Sequence, residues 1–220
     1  MKSYISRYIS LRKKKYVRYY YYSALGAIGL KKSPSLYQID KKIEPYLLPG
    51  RKRGFFVEAG GNDGVSQSNT FHLEKYYGWS GFIVEPVPWL NKIAQNFRTC
   101  GIETSALGRF SDRGLTLRLA ENDLTTRAVS EEIDLVASIE VQIEPLSDIL
   151  DRRKVNIVDF FSLDVEGYEN AVLGGIDFDR HIIKALLVET KNISSLEIDW
   201  RRYRDPISIT HHDYLILSKT

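Results

Sequence analysis

The chain has a single cysteine, Cys100, among its 220 residues. That excludes an intramolecular disulfide framework and any metal site built from several cysteines. It fits a reducing compartment, and a cytoplasmic location is the expectation. Long apolar runs are also missing. The longest stretch without a charged residue runs from Tyr19 to Leu30, twelve residues. A membrane-spanning helix needs about 20, so none is expected. The same stretch makes a poor signal-peptide core, because the basic region before it is long and it opens on four tyrosines. Only 7 prolines and 15 glycines occur, and no internal repeat is visible. Collagen-like, low-complexity and solenoid classes are therefore excluded.

What is present is an ordinary globular composition, 43% hydrophobic and 27% charged. A chain of this length buries roughly 70% of its unfolded surface and needs no staples. The charge is unevenly spread. Residues 1–54 hold 14 Lys/Arg and 2 Asp/Glu, a net of +12, while residues 55–220 net −9. This divides the chain into a basic, Tyr-rich extension over 1–53 and a domain over 54–220. In the extension, Ile5, Ile9, Tyr16 and Tyr20 share one helical face, with Arg12, Lys13 and Lys14 beside it. Such a helix could lie on an anionic membrane through residues 1–32, or dock on the domain by its aromatic side. A nucleic-acid partner is not expected, since tyrosines among lysines are poor evidence of base stacking.

From residue 55 short apolar runs alternate with helical stretches. Strands are expected at Phe55 to Ala59, Gly81 to Glu85, Ile102 to Ser105, Leu115 to Leu119 and Ser138 to Glu144. More follow at Asn156 to Leu163, broken at Asp159, and at Lys184 to Glu189. Helices are expected at Ser68 to Tyr77, stopped by Gly78, from Pro88 to about Arg98, at Leu146 to Arg152, and at Gly167 to Leu173. Glu121 to Val136 reads as a polar loop, a lid or an insertion. The chain closes on an expected hairpin, Ile207 to Thr210 with Tyr214 to Leu217, split by His211-His212-Asp213. Strands separated by helices imply parallel crossovers. The fold class is thus α/β, a Rossmann-like doubly wound, mostly parallel sheet with a C-terminal antiparallel hairpin.

Ligands of such sheets sit beyond the carboxyl ends of the strands. Three segments there carry chemistry. Glu58-x-Gly60-x-x-x-Gly64 lacks the Gly-x-Gly-x-x-Gly spacing of a dinucleotide site. Its acids, Glu58 and Asp63, would repel a pyrophosphate but attract a sulfonium and an α-amino group. The loop favours S-adenosyl-L-methionine over NAD, although glycines also serve a plain structural turn. Glu85 ends the second strand 21 residues after Gly64. A carboxylate at about that spacing can accept hydrogen bonds from both ribose hydroxyls. Asp164-Val165-Glu166-Gly167 ends the most apolar strand. Asp164 there could take a proton from a substrate hydroxyl or, with Glu166, hold a divalent metal such as Mg. An N-cap Asp with a first-turn Glu would serve a helix equally well.

The stretch Val57-Glu58-Ala59-Gly60-Gly61-Asn62-Asp63-Gly64-Val65-Ser66-Gln67-Ser68-Asn69-Thr70 resembles the opening motif of the FkbM family of S-adenosylmethionine-dependent methyltransferases. Phe82-Ile83-Val84-Glu85-Pro86-Val87-Pro88 is similar to its second-strand motif. Leu146-Ser147-Asp148-Ile149-Leu150 and Val158 to Glu169 resemble its later motifs. The resemblance covers roughly residues 54–190 and leaves 1–50 outside. Where that family often has Asp, Glu58 stands, and Ser162 stands where Lys is frequent.

The resemblance implies a class I methyltransferase fold and O-methylation of a hydroxyl on a sugar, glycan or related natural product. It implies that Gly60, Asn62 and Gly64 cradle the cofactor's amino-acid end, assisted by Glu58 and Asp63. Glu85 would take the ribose, and Ser105 and Ala106 would lie near adenine. Asp164 would be the general base, with Glu166 assisting. A non-catalytic module recruiting a partner through its basic arm, or a nucleotide or NAD enzyme of the same architecture, stays open at this point.

Overall fold

The computed structural model describes residues 13–14, 16–22, 24–25, 30, 32–49, 53–120, 127–128 and 138–219. Thirteen strands are assigned among them. Phe55–Ala59 (β1), Ser80–Val84 (β2) and Gly101–Glu103 (β3) come first. Ala106–Leu107 (β4), Thr116–Ala120 (β5), Arg127–Ala128 (β6) and Ser138–Glu144 (β7) follow. Ile157–Val158 (β8), Phe160–Leu163 (β9), Ile182–Ile183 (β10), Ala185–Glu189 (β11), Ile207–Ser208 (β12) and Asp213–Leu217 (β13) complete the set. The α-helices are Ile39–Leu47 (α1), Phe71–Tyr77 (α2), Pro88–Ala94 (α3), Leu146–Arg152 (α4) and Glu169–Leu173 (α5).

Seven strands form the main sheet in the order β12-β13-β11-β9-β1-β2-β3. All neighbouring pairs are parallel except those made by β13, which runs antiparallel to β11 and β12. This is the doubly wound sheet with a terminal antiparallel hairpin that the sequence predicts. A second sheet, β4-β7-β5-β6, stands beside it. Its buried face gathers Ala106, Leu119, Val141 and Ile143.

The period-2 alternation of the strands sorts the core into two faces. Val57, Ala59, Phe82, Phe161, Leu163, Leu186 and Val188 face Leu146, Ile149 and Leu150 of α4. Phe56, Phe160, Leu187 and Leu215 face the other way, toward Ile39, Ile43 and Leu47 of α1. On that second face each apolar side chain is two residues from a polar one at the crevice end. Phe56 precedes Glu58, Phe160 precedes Ser162, and Leu187 precedes Glu189, while on antiparallel β13 Asp213 precedes Leu215. Helix α1 covers the apolar half and leaves the polar half uncovered.

Helix α1 changes the domain boundary drawn from charge. Its lysines point outward, but Ile39, Ile43 and Leu47 at four-residue spacing are buried in the core. Residues 39–47 are thus part of the domain and not an appendage. The helical segment 16–22 is docked as well. Tyr16, Tyr19 and Tyr22 pack against Val65, Phe71, Ile93 and Phe97. Tyr19 stacks on Phe97 with ring centroids 4.0 Å apart. The expected face included Tyr20, which is instead exposed. Ile5, Ile9 and Arg12 lie outside the described residues, as does most of the loop expected over Glu121 to Val136. Among the described residues no helix is long and apolar enough to cross a membrane.

Other differences have local causes. Helix α2 starts at Phe71, and Ser68, expected as its N-cap, accepts the Phe71 N–H at 3.0 Å through Oγ from outside the assigned helix. The run from Asn156 to Leu163 splits into β8 and β9 at Asp159. Its carboxylate accepts the Phe55 N–H at 2.9 Å and the Lys184 ammonium at 2.9 Å.

Ile43 is fully buried. Ile43→Ala is therefore expected to cost about 2–5 kcal/mol in urea unfolding, as other buried Ile truncations do. A cost below about 0.5 kcal/mol, typical of a surface change, would show that α1 is not part of the cooperative fold.

Candidate functional site

A crevice of about 140 Å³ opens beyond the carboxyl ends of β1, β2 and β9. This is where the strand order reverses, with β1 and β9 adjacent and their continuations on opposite sides. The apolar runs of β1 and β2 bring the chain there and then yield to Gly60-Gly61 and to Glu85. Gly60 has φ +78°, and a Cβ on it would stand 1.8 Å from the Asp164 carbonyl oxygen. No other residue type lets the β1 and β9 loops approach so closely.

Glu85 is buried, and its carboxylate is fixed by the backbone. Oε2 accepts the Asn62 N–H at 2.8 Å and Oε1 accepts the Val87 N–H at 3.0 Å. Each carboxylate oxygen has a second lone pair, so the oriented group can still accept hydroxyl protons. Farther along the crevice stand Ser105 and Ala106, with Val87, Leu90, Leu107, Leu117 and Leu119 supplying apolar walls. Ser105 Oγ is buried without a hydrogen-bond partner. A buried hydroxyl left so is costly unless a ligand pairs with it. The two leucines of β5 show what the second sheet does: it closes one side of the crevice.

Glu58 and Asp63 are placed differently from the sequence expectation. Glu58 borders the crevice, but both oxygens are engaged by the protein. They accept the Ser68 and Thr70 hydroxyls at 2.8 and 2.7 Å and the Asn69 N–H at 2.7 Å. Asp63 is outside the crevice lining, as is Gly64. Asp63 Oδ1 accepts the N–H groups of Val65 and Ser66, and Oδ2 accepts the Ser66 hydroxyl. Its carboxylate shapes the loop and does not face the crevice. Gly60, Asn62 and Glu85 do line it, together with Asp164 and Glu166.

Asp164 stands at the mouth. Asp164 keeps an open face to solvent, and its carboxyl is raised above the usual carboxylate range, first by the protein packed along its other sides. Glu189 adds to this by repulsion and a shared hydrogen bond, and Glu166 and Asp213 by repulsion. The open side of Asp164 is the crevice mouth itself. Glu166 has φ +55° ahead of Gly167 at φ +100°, so the chain turns sharply there. Among the described residues no group of three or more His, Cys, Asp and Glu is placed to hold a metal ion. The expectation of a metal on Asp164 and Glu166 thus gains no support from the donor set.

Sequence reasoning missed Arg98. This fully buried guanidinium donates to Glu74 Oε2 at 2.7 Å, to the Gly64 carbonyl at 2.7 Å and to Thr70 Oγ1 at 2.9 Å. Burial alone would raise the Glu74 carboxyl, but Arg98 and the Thr99 N–H outweigh it and hold it low. Nothing in the local pattern marks Arg98, because its partners lie 24 to 34 residues away in the chain. Trp89 lines the crevice, whereas Trp79 and Trp200 pack in the core. Burial pushes the Cys100 thiol up to about 12, which leaves it no thiolate chemistry.

The family model for the methyltransferase FkbM domain matches residues 58–215. No curated protein matches the chain. Among solved structures, the methyltransferase FkbM from Methylobacillus flagellatus KT is 16% identical with a TM-score of 0.53. That similarity covers 98% of this chain and 60% of the other, so the chain spans well under two thirds of that protein's length. TrmK of M. capricolum in complex with S-adenosyl-homocysteine is 11% identical, TM-score 0.42, over 83% of this chain and 66% of that one. A mutant of MtNAS in complex with S-adenosylmethionine is 10% identical, TM-score 0.48, over 99% and 75%. With the FkbM model matching well over half of its residues, the chain belongs to the FkbM methyltransferase family.

Proposed function

We propose that the protein transfers a methyl group from S-adenosylmethionine to a hydroxyl of a sugar or a related hydroxylated acceptor. The observation that carries this is the place of Asp164. It lies at the mouth of the crevice and also lines the wider groove next to it. A carboxylate there can serve two ligands that meet end to end.

The crevice fits the cofactor by its chemistry. Glu85 offers a fixed pair of acceptors to the ribose diol. Ser105 Oγ offers an unpaired polar atom, and the leucines around it offer a slot for a flat heterocycle. Gly60 lets the amino-acid end approach the backbone. When bound, S-adenosylmethionine supplies an electrophilic methyl on a positively charged sulfur. Glu166, in the crevice lining beside Asp164, complements that charge.

Asp164 Oδ accepts the proton of the acceptor hydroxyl as its oxygen forms the new bond to carbon, and the electron pair of the broken bond stays on sulfur. Glu189, hydrogen-bonded to Asp164, holds the carboxyl in place. Holding the reactants in line accounts for roughly 7–11 kcal/mol of barrier lowering in well-oriented systems.

Glu85→Ala should weaken S-adenosylhomocysteine binding roughly 10- to 100-fold, the worth of a charged hydrogen bond, while the protein stays folded. Unchanged affinity in calorimetry would remove the ribose assignment. Asp164→Asn should keep S-adenosylhomocysteine affinity and lower turnover by roughly 10²–10⁴-fold. The wild-type kcat/KM should also rise with pH. The base works only when deprotonated, so activity is lost as pH falls below the value of about 8 to which Asp164 is raised. A flat profile from roughly pH 6 to 9 would show that Asp164 is not the base.

A further inference from the structure

A groove of about 1040 Å³ adjoins the crevice and shares Gln67, Asn69 and Asp164 with it. We infer that this groove is the acceptor site and that Tyr37, from the segment preceding the family-matched region, is the platform on which the acceptor ring rests. This rests on the methyl-transfer reading and goes beyond it, because it assigns the second ligand to specific walls.

One wall is the C-terminal hairpin, with Thr210, His211 and Asp213. The other is the segment from Leu36 to Lys42. Between them lies Glu189, the register partner of Asp213. These carboxylates belong to the polar half of the sheet face that α1 leaves uncovered. Their oxygens accept hydrogen bonds from hydroxyls, so an acceptor rich in hydroxyls fits them.

The N-terminal wall is built in and not merely adjacent. Gln67 N–H donates to the Pro34 carbonyl at 3.1 Å, and Ser35 forms a β-bridge with Gln67. Ser35 Oγ donates to Asn69 Oδ1 at 2.5 Å. Lys42 Nζ reaches across to the Ile209 carbonyl at 3.3 Å and ties this wall to the hairpin. Tyr37 and Gln38 both sit in the left-handed region, at φ +50° and +55°. Two adjacent non-glycine residues in that region are strained, and such strain persists only where the surroundings impose it. Tyr37 lines the groove from this strained turn while 68% of the residue stays exposed. An aromatic residue in the same groove as Glu189, Thr210 and Asp213 suits a saccharide ring, whose C–H face is apolar and whose edge is polar.

The test uses the full chain loaded with S-adenosylhomocysteine and a set of methyl hexopyranosides as probes. Saturation-transfer NMR should show glycoside ring protons receiving magnetisation from the wild type. Tyr37→Ala should weaken that binding about fivefold to tenfold, the worth of a lost aromatic contact, and Tyr37→Phe should restore it. S-adenosylhomocysteine affinity should be the same in all three. Equal glycoside signals from wild type and Tyr37→Ala would overturn the role of Tyr37. No signal from any glycoside, with S-adenosylhomocysteine bound normally, would overturn the groove as a saccharide site and leave the cofactor assignment standing. If the wild type fails to bind S-adenosylhomocysteine at all, the methyl-transfer reading itself falls.

Discussion

Glu58 is a carboxylate on a strand in the middle of the main sheet, and it is buried. Taking a charge out of water costs several kcal/mol unless hydrogen bonds and a counter-charge replace the water. The protein meets that demand with the segment Ser68-Asn69-Thr70, whose two hydroxyls and one N–H close on the carboxylate. Arg98 stands 3.6 Å from it and brings its own demand, met by Glu74, the Gly64 carbonyl and Thr70. The crevice loop is thus pinned at both ends, by Glu58 beneath residues 68–70 and by Arg98 on Gly64. Asn69 carries the network outward, donating to Ser162 Oγ at 3.1 Å on β9 and accepting from Ser35 at 2.5 Å. One buried charge therefore connects the cofactor loop, the β9 strand below Asp164 and the wall of the adjoining groove.

Polarity along the sheet follows the same logic. At the far end of the second face, Phe56, Phe160, Leu187 and Leu215 need cover, and α1 gives it with Ile39, Ile43 and Leu47. At the crevice end the side chains are Glu58, Ser162, Glu189 and Asp213, and no apolar helix could cover them without stranding charges. The groove exists because the sequence changes character at that point along adjacent strands. Its opposite face has no such change, since Ala59, Leu163 and Val188 remain apolar to the strand ends and pack in the core.

Much of this was legible in the sequence. Apolar runs ending in Gly60, Glu85 and Asp164 marked β1, β2 and β9 and the crevice beyond them. Gly78, at φ +67°, ends α2, and Pro88 opens α3, as expected of a residue without a Cβ and a residue without an N–H. The terminal hairpin was visible as two apolar runs split by a polar turn. What escaped depends on distant partners. The role of Arg98 is set by Glu58, Glu74 and Gly64, which no local window contains. Asp63 reads as a ligand residue until its oxygens are seen to be used by the loop itself. Net charge sets the N-terminal segment apart, while a weaker signal, the Ile39-Ile43-Leu47 stripe interrupted by Lys41, Lys42 and Pro45, is what packs into the core. The β4-β7-β5-β6 sheet escaped for another reason: alternation identifies β5 and β7 as strands but does not say which sheet they join.

Backbone strain gives the last step. Asn62, Gln67 and Glu166 are non-glycine residues with φ +50°, +65° and +55°, and all three line the crevice. Asn tolerates the left-handed region through its short polar side chain, but Gln and Glu do so at a cost of order 1 kcal/mol or more. Two of these corners are held by hydrogen bonds: Asn62 N–H is bonded to Glu85 and Gln67 N–H to Pro34. A crevice whose corners are fixed in this way before ligand arrives does not have to order them on binding, so less of the contact energy is spent on closure. Asp164 lines both cavities, and a base that must meet a hydroxyl within hydrogen-bond reach depends on its placement more than on any single contact.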